Sequence, residues 1–194
     1  MWGISDTSVS FCENKYEKSK YIAEFYNTIS SLSYIIVAYP FLRTKIKRIG
    51  WSCMGVGIGS ILLHGTGRYY GQWVDEISML LYGHTTLRYL DKTHPNIFPL
   101  ILFAYLTHWR HFYVFLVIFV SFQIKILKIN WERKNKKNTI LYVFFFMIGF
   151  ICWGLDQARC TSLERYKLHA VWHISTSLSM LINMIGLLKD QHVQ

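Results

Sequence analysis

After a polar opening stretch of residues 1–24, the apolar residues of the chain fall into seven blocks: 25–42, 49–64, 73–90, 97–109, 112–127, 140–155 and 169–188. The charge-free core of each runs to about 13–20 residues, against the ~20 that a membrane-crossing helix needs. Tyr and Trp at the block ends, and Lys and Arg able to snorkel, extend the shorter ones. Membrane-barrel strands would alternate apolar and polar with period two, and the run 141–151 does not. The helices of a soluble bundle would show charges at helical spacing. Blocks two, five and six carry almost none. The pattern predicts an all-α, polytopic membrane protein built as a seven-transmembrane helix bundle. It forms a single domain, 1–194, with helices at about these bounds. Residues 1–23 carry Asp6, Glu13, Lys15, Glu17, Lys18 and Lys20 and no apolar run, so no cleaved signal is expected there.

Charge then orients the bundle. The loops after blocks one, three and five, with Lys189, collect thirteen of the 21 Lys and Arg residues. They include Arg43, Lys45, Lys47, Arg48, Arg88, Lys92, Lys125, Lys128, Arg133, Lys134, Lys136 and Lys137. The other side holds eight: Lys15, Lys18, Lys20, Arg68, Arg110, Arg159, Arg165 and Lys167. The positive-inside rule puts the N-terminus lumenal or outside and the C-terminus cytoplasmic. The basic loop at 125–137 reads either as this topology signal or as a contact with anionic lipid. A net charge of +10 would otherwise point to nucleic acid, but these charges sit between apolar blocks rather than on a soluble face. No nucleic-acid partner is expected, and no obligate protein partner is inferred. The 52% hydrophobic and 16% charged composition excludes a disordered chain, and four Cys without C-x-x-C spacing exclude a disulfide scaffold or zinc ribbon.

Ionisable residues at or inside spans are costly and mark candidate function. Block two ends in Ser60-Ile-Leu-Leu-His64, block three opens Trp73-Val-Asp75-Glu76, and block seven opens His169-Ala-Val-Trp-His173. With the orientation above, all three groups fall at one membrane depth, on the outer side. His169 and His173 are four apart and share one helical face, as do Ser60 and His64. A lone H-x-x-x-H pair often only packs. A third His and a carboxylate at the same depth favour a metal site, and three imidazoles with one open position suit catalytic Zn²⁺. Taken alone, Asp75 also reads as a helix cap, and Ser60 as a small residue permitting close helix contact beside Gly55-x-x-x-Gly59. Glu76 reads as a supporting or interfacial group.

These residues resemble the motifs of the alkaline ceramidase family, seven-span zinc amidases whose superfamily includes the progestin/adiponectin receptors. The matching stretches are Cys12-Glu13, Tyr21-Ile-Ala-Glu24-Phe-Tyr-Asn27-Thr28, Gly57-x-Gly59-Ser60-x-x-x-His64, Asp75-Glu76 and His169-Ala-x-Trp172-His173. The resemblance implies Zn²⁺ held by His64, His169 and His173. It implies Asp75 as general base and acid on a zinc-activated water, and Ser60 as a stabiliser of the oxyanion. It implies hydrolysis of ceramide-type N-acyl sphingoid lipids to sphingoid base and fatty acid, in an internal membrane of the endoplasmic reticulum or Golgi type. Cys12 and Cys160 match cysteines that pair in the family, so a disulfide is implied. Cys53 and Cys152 read as buried apolar residues. The family's Ca²⁺ site is degenerate here. Glu13 and Glu24 remain, Ser10 and Lys15 stand at two ligand positions, and Asn14 is a substitute only if the loop shifts. A cation at a ligand position repels Ca²⁺, so its binding is expected to be weak or absent, with Lys15 pairing with Glu13 or Glu24 instead. His84, His94, His108, His111 and His192 have no counterpart and read as packing or interfacial residues. Two other functions stay open: a hydrolase acting on another acyl linkage of a membrane lipid, and a non-catalytic receptor-like protein with structural zinc.

Overall fold

The structure, a computed structural model, describes residues 2–108, 111–133 and 136–189. Trp109, Arg110, Lys134 and His192 lie outside the described residues. Among the described residues all regular secondary structure is helical. Helices α1 (Phe25–Ser30) and α2 (Leu32–Ala38) and a 3-10 turn (Tyr39–Phe41) follow one another with helical dihedrals at Ser31, and so form one rod over the first block. Then come α3 (Lys47–Thr66), α4 (Tyr69–Leu90), α5 (Phe98–Thr107), α6 (Phe112–Glu132) and α7 (Lys136–Ala158). A short α8 (Cys160–Leu163) and a 3-10 turn (Glu164–Tyr166) lead into α9 (Leu168–Lys189).

Three of these, α6, α7 and α9, are long and apolar enough to cross a membrane, and α5 is a shorter apolar helix. Exposed side chains such as Leu100 and Phe103 on α5, Val117 and Ile124 on α6, and Phe144 and Ile151 on α7 form an outward apolar surface of the kind a lipid phase covers.

Helix α4 begins one turn before its apolar block. Gly67 stops α3 in the left-handed conformation at φ 63°, and extended Arg68 starts the next helix at Tyr69. Asp75 therefore lies nearly two turns inside α4, which removes the cap reading. Helix α6 runs past its block to Glu132, because the Lys and Asn residues that break the apolar run still form helix.

The closest approach is between α3 and α4. A Cβ added to Gly59 would lie 2.6 Å from the Cα and N of Asp75, and one added to Gly71 would lie 2.6 Å from Leu63 N. Backbone touches backbone at both points, as small residues permit. Helices α7 and α9 form the other extensive pair. The N-terminal segment folds over the end of the bundle where α3 turns into α4. Ala23 N–H donates to Gly65 O and Glu24 N–H to His64 O, both at 2.9 Å. Tyr69 N–H donates to Asp6 Oδ1 at 2.6 Å, and Arg68 pairs with Asp6 at 3.0 Å. A disulfide joins Cys12 to Cys160, tying this segment to the start of α8.

Candidate active site

The convergence of α3 and α9 brings His64, His169 and His173 together, with one ring nitrogen from each lying within 4.8 Å of the others. All three are buried, at 1%, 4% and 2% exposure. Their rings stand 4.6–4.9 Å apart by centroid. Phe11, from the N-terminal segment, covers the cluster at 4.8 Å from His64 and 4.1 Å from His169.

Hydrogen bonds set the imidazole tautomers. Glu24 Oε2 lies 2.6 Å from His64 Nδ1. A carboxylate only accepts, so Nδ1 carries the proton and the lone pair is on Nε2. That Nε2 is buried without a partner. Similarly, His173 Nδ1 faces Asn27 O at 3.1 Å and Ser30 Oγ at 2.8 Å. The carbonyl only accepts, so the free lone pair of His173 is also on Nε2. His169 Nδ1 has no partner. Buried polar atoms without partners are expensive. Three in-turned imidazoles, two with the tautomer fixed by an outer oxygen, are the donor set that a divalent metal accepting nitrogen ligands requires. The donor set fits Zn²⁺, which the resemblance implied.

Beside the histidines, Ser60 Oγ lies 3.3 Å from His173 Nε2 and 2.8 Å from Ser31 Oγ. Asp75 lines the same cavity as Ser60, His169 and His173, and its Oδ1 is buried without a partner. Apart from Gln72 and Glu76, the rest of the cavity wall is mostly apolar, with Phe115, Phe119, Phe150, Trp153 and Trp172 prominent. Glu76 also lines this cavity and is buried rather than interfacial. It accepts hydrogen bonds from Gln72 Nε2 and Tyr105 OH, each at 2.6 Å.

The three residues of the expected degenerate Ca²⁺ site are each engaged by protein groups. Glu13 accepts from Tyr26 N–H at 2.7 Å and Asn27 N–H at 2.9 Å, closing the N-terminus of α1. Glu24 is turned to His64 and to Asn27 Nδ2. Asn14 donates to Glu164 Oε1 at 2.5 Å. The pairing expected of Lys15 with Glu13 or Glu24 does not occur. Its ammonium donates to Ser5 Oγ at 2.5 Å, because both carboxylates are already held by closer donors. Of the other cysteines, Cys53 is buried on α3 and Cys152 is partly buried on α7.

Several contributors were not singled out from the sequence. Glu24 was read as a calcium ligand rather than as the partner of a histidine. Asn27, Ser30, Ser31 and Phe11 surround the cluster. Asp156 of α7 accepts Cys12 N–H at 3.3 Å and holds the N-terminal segment down. The Glu24-x-x-Asn27 spacing, one helical face at the mouth of the first block, was the available signal.

The Ceramidase family model matches residues 3–192. The chain is 27% identical to an alkaline ceramidase of Arabidopsis thaliana over 208 residues, which cover 92% of this chain and 81% of that protein. It is 25% identical over 233 residues to alkaline ceramidase 3 of Mus musculus, covering 95% and 84%. A shorter match, 35% over 88 residues, covers 41% of this chain and 28% of the alkaline ceramidase YPC1 of Saccharomyces cerevisiae.

Proposed function

The chain belongs to the ceramidase family, and from that membership we propose that it is a membrane hydrolase cleaving the amide bond of ceramide-type N-acyl sphingoid lipids. The products are a sphingoid base and a free fatty acid. The observation that carries the reading is the buried histidine cluster opening on an apolar cavity that Ser60 and Asp75 also line. An amphipathic amide needs both parts: apolar walls for its chain and polar groups confined to one end.

His64, His169 and His173 would hold Zn²⁺. When bound, the ion supplies Lewis acidity for the amide carbonyl and lowers the pKa of water. The chain's own groups do the rest. Asp75 Oδ1, with no protein partner, takes the proton of the attacking water and returns it to the departing sphingoid nitrogen. Ser60 Oγ–H donates to the oxygen that gains charge as the carbonyl carbon becomes tetrahedral. Glu24 keeps His64 in the tautomer with Nε2 free. The aromatic walls exclude bulk water.

The reading includes seven membrane spans in one domain, with residues 1–24 and the site on the lumenal side and the C-terminus cytoplasmic. The distribution of Lys and Arg supports that orientation. The same reading has the enzyme in an endoplasmic-reticulum- or Golgi-type membrane, where an oxidising lumen would sustain the Cys12–Cys160 bridge.

The test is incubation of the detergent-solubilised protein with a ceramide panel, with released sphingoid base quantified by mass spectrometry. The parent protein is expected to release base and His173→Ala to release none. Failure of the zinc-loaded parent to release base from any ceramide would overturn the reading.

A further inference from the structure

At the end of the bundle away from the histidines, a cavity of about 460 Å³ opens between the start of α3, the end of α4 and the connection into α5. Arg48 and His64 are 16 residues apart on α3, about 24 Å along its axis at 1.5 Å per residue. That is close to the thickness of a bilayer core. Lys45, Lys47, Arg48 and Arg88 line the cavity, and among the described residues no Asp or Glu does. Among the described residues none of these four enters an ion pair. The nearest carboxylate in sequence, Asp91, is turned to Thr93, accepting its N–H at 3.0 Å and its hydroxyl at 2.6 Å. The N-terminus of the 20-residue helix α3 opens on the same space and adds its positive end. His84, 3% exposed, stands in the wall with Nε2 facing Asn96 Oδ1 at 3.1 Å and Nδ1 without a protein partner. The remaining wall is mostly apolar, with Ile46, Ile49, Leu81 and Phe98 beside Thr85 and Tyr89.

We propose that this cavity binds the headgroup phosphate of an anionic phospholipid drawn from the membrane leaflet at that end. Four cations and a helix N-terminus, with no carboxylate opposing them among the described residues, form an anion site. A topology signal alone needs positive charge in the loops, and places no demand on a cavity or on its walls. The apolar half of the wall distinguishes the ligand from a free inorganic anion, since it matches the glycerol and first acyl carbons next to a headgroup. The inference rests on the membrane-spanning reading but not on the hydrolytic one.

The experiment titrates the full chain, in uncharged detergent, with a short-chain phosphatidylinositol phosphate, a short-chain phosphatidylcholine and inorganic phosphate, read by native mass spectrometry. Saturable binding of the inositol lipid is expected, with no binding of phosphatidylcholine and at least ten-fold weaker binding of inorganic phosphate. Each basic group near an anionic surface contributes about a five-fold factor, so Arg48→Gln with Arg88→Gln is expected to weaken the lipid about 30-fold. Lys136→Gln with Lys137→Gln, at the start of α7 and outside the cavity, is expected to change it less than two-fold. Lys45→Gln, in a turn, is a second variant that spares the helices, with about five-fold expected. Equal losses from the two pairs would overturn the proposal in favour of diffuse charge. Inorganic phosphate binding as tightly as the lipid would overturn the headgroup assignment, and no binding would overturn both. Ceramide hydrolysis measured on the same preparations separates failure here from failure of the enzymatic reading.

Discussion

Replacing Gly59 by alanine tests whether the position of Asp75 governs turnover. The added methyl carbon would lie 2.6 Å from both Cα and N of Asp75 and 2.9 Å from Val74 C, whereas ordinary contact begins at 3.4 Å. All three are backbone atoms, so no side chain can turn aside, and α4 must recede from α3 by about 0.8 Å. Alanine is otherwise favoured over glycine within a helix by about 1 kcal/mol, so a net loss can come only from this contact. The overpacking is expected to cost about 1–3 kcal/mol of stability. Its larger effect falls on geometry. Asp75 withdraws from the cavity that Ser60, His169 and His173 share, and a displacement near 1 Å reduces turnover by about 10²-fold. His64 is on α3 and the other two histidines are on α9, so metal content is expected to stay at the parent level. The assay is sphingoid-base release per folded protein, with zinc measured by elemental mass spectrometry. Gly154→Ala is the control, since its added carbon meets nothing within 4 Å, and it is expected to behave as the parent. Parent-level turnover in folded Gly59→Ala would refute the argument that α3–α4 contact positions the carboxylate.

Three further outcomes are expected. Glu24→Gln removes the carboxylate that holds His64 Nδ1–H, so zinc affinity should fall about 10–100-fold with activity restored by added zinc, as read by chelator titration. Asp75→Asn should keep its zinc and lose about 10²–10⁴-fold in turnover, because the amide can neither accept nor return the proton; activity within ten-fold of the parent would remove Asp75 from the chemistry. Cys160→Ser opens the tie to Cys12 and is expected to cost about 2–5 kcal/mol, seen as a lower midpoint in detergent-based thermal unfolding.

The helices were legible because apolar runs are long and the charges that interrupt them sit at their ends. The histidines were legible for the complementary reason: imidazoles in apolar surroundings stand out, and the four-residue spacing of His169 and His173 already puts them on one face. The start of α4 was not legible, since Tyr69-Tyr-Gly-Gln72 carries no apolar pattern and the boundary depends on left-handed Gly67. Nor was the role of Glu24. A carboxylate beside a helix start has many uses, and its choice of His64 follows from the N-terminal segment pairing with the last turn of α3 through Ala23 and Glu24. Arg48 and Arg88 read separately as loop charges. That they face one cavity depends on α3 and α4 being antiparallel and in backbone contact.

The spread of the histidine cluster along the chain has a consequence for biosynthesis. Its parts come from Glu24, His64, His169 and His173, and its cover is fastened by a bond from Cys12 to Cys160. On a ribosome the first of these emerges long before the last. A nascent or truncated product that ends before α9 has one histidine of three. It can neither load the metal nor attack the lipids among which it is being inserted. Hydrolytic competence is thereby coupled to translation through α9.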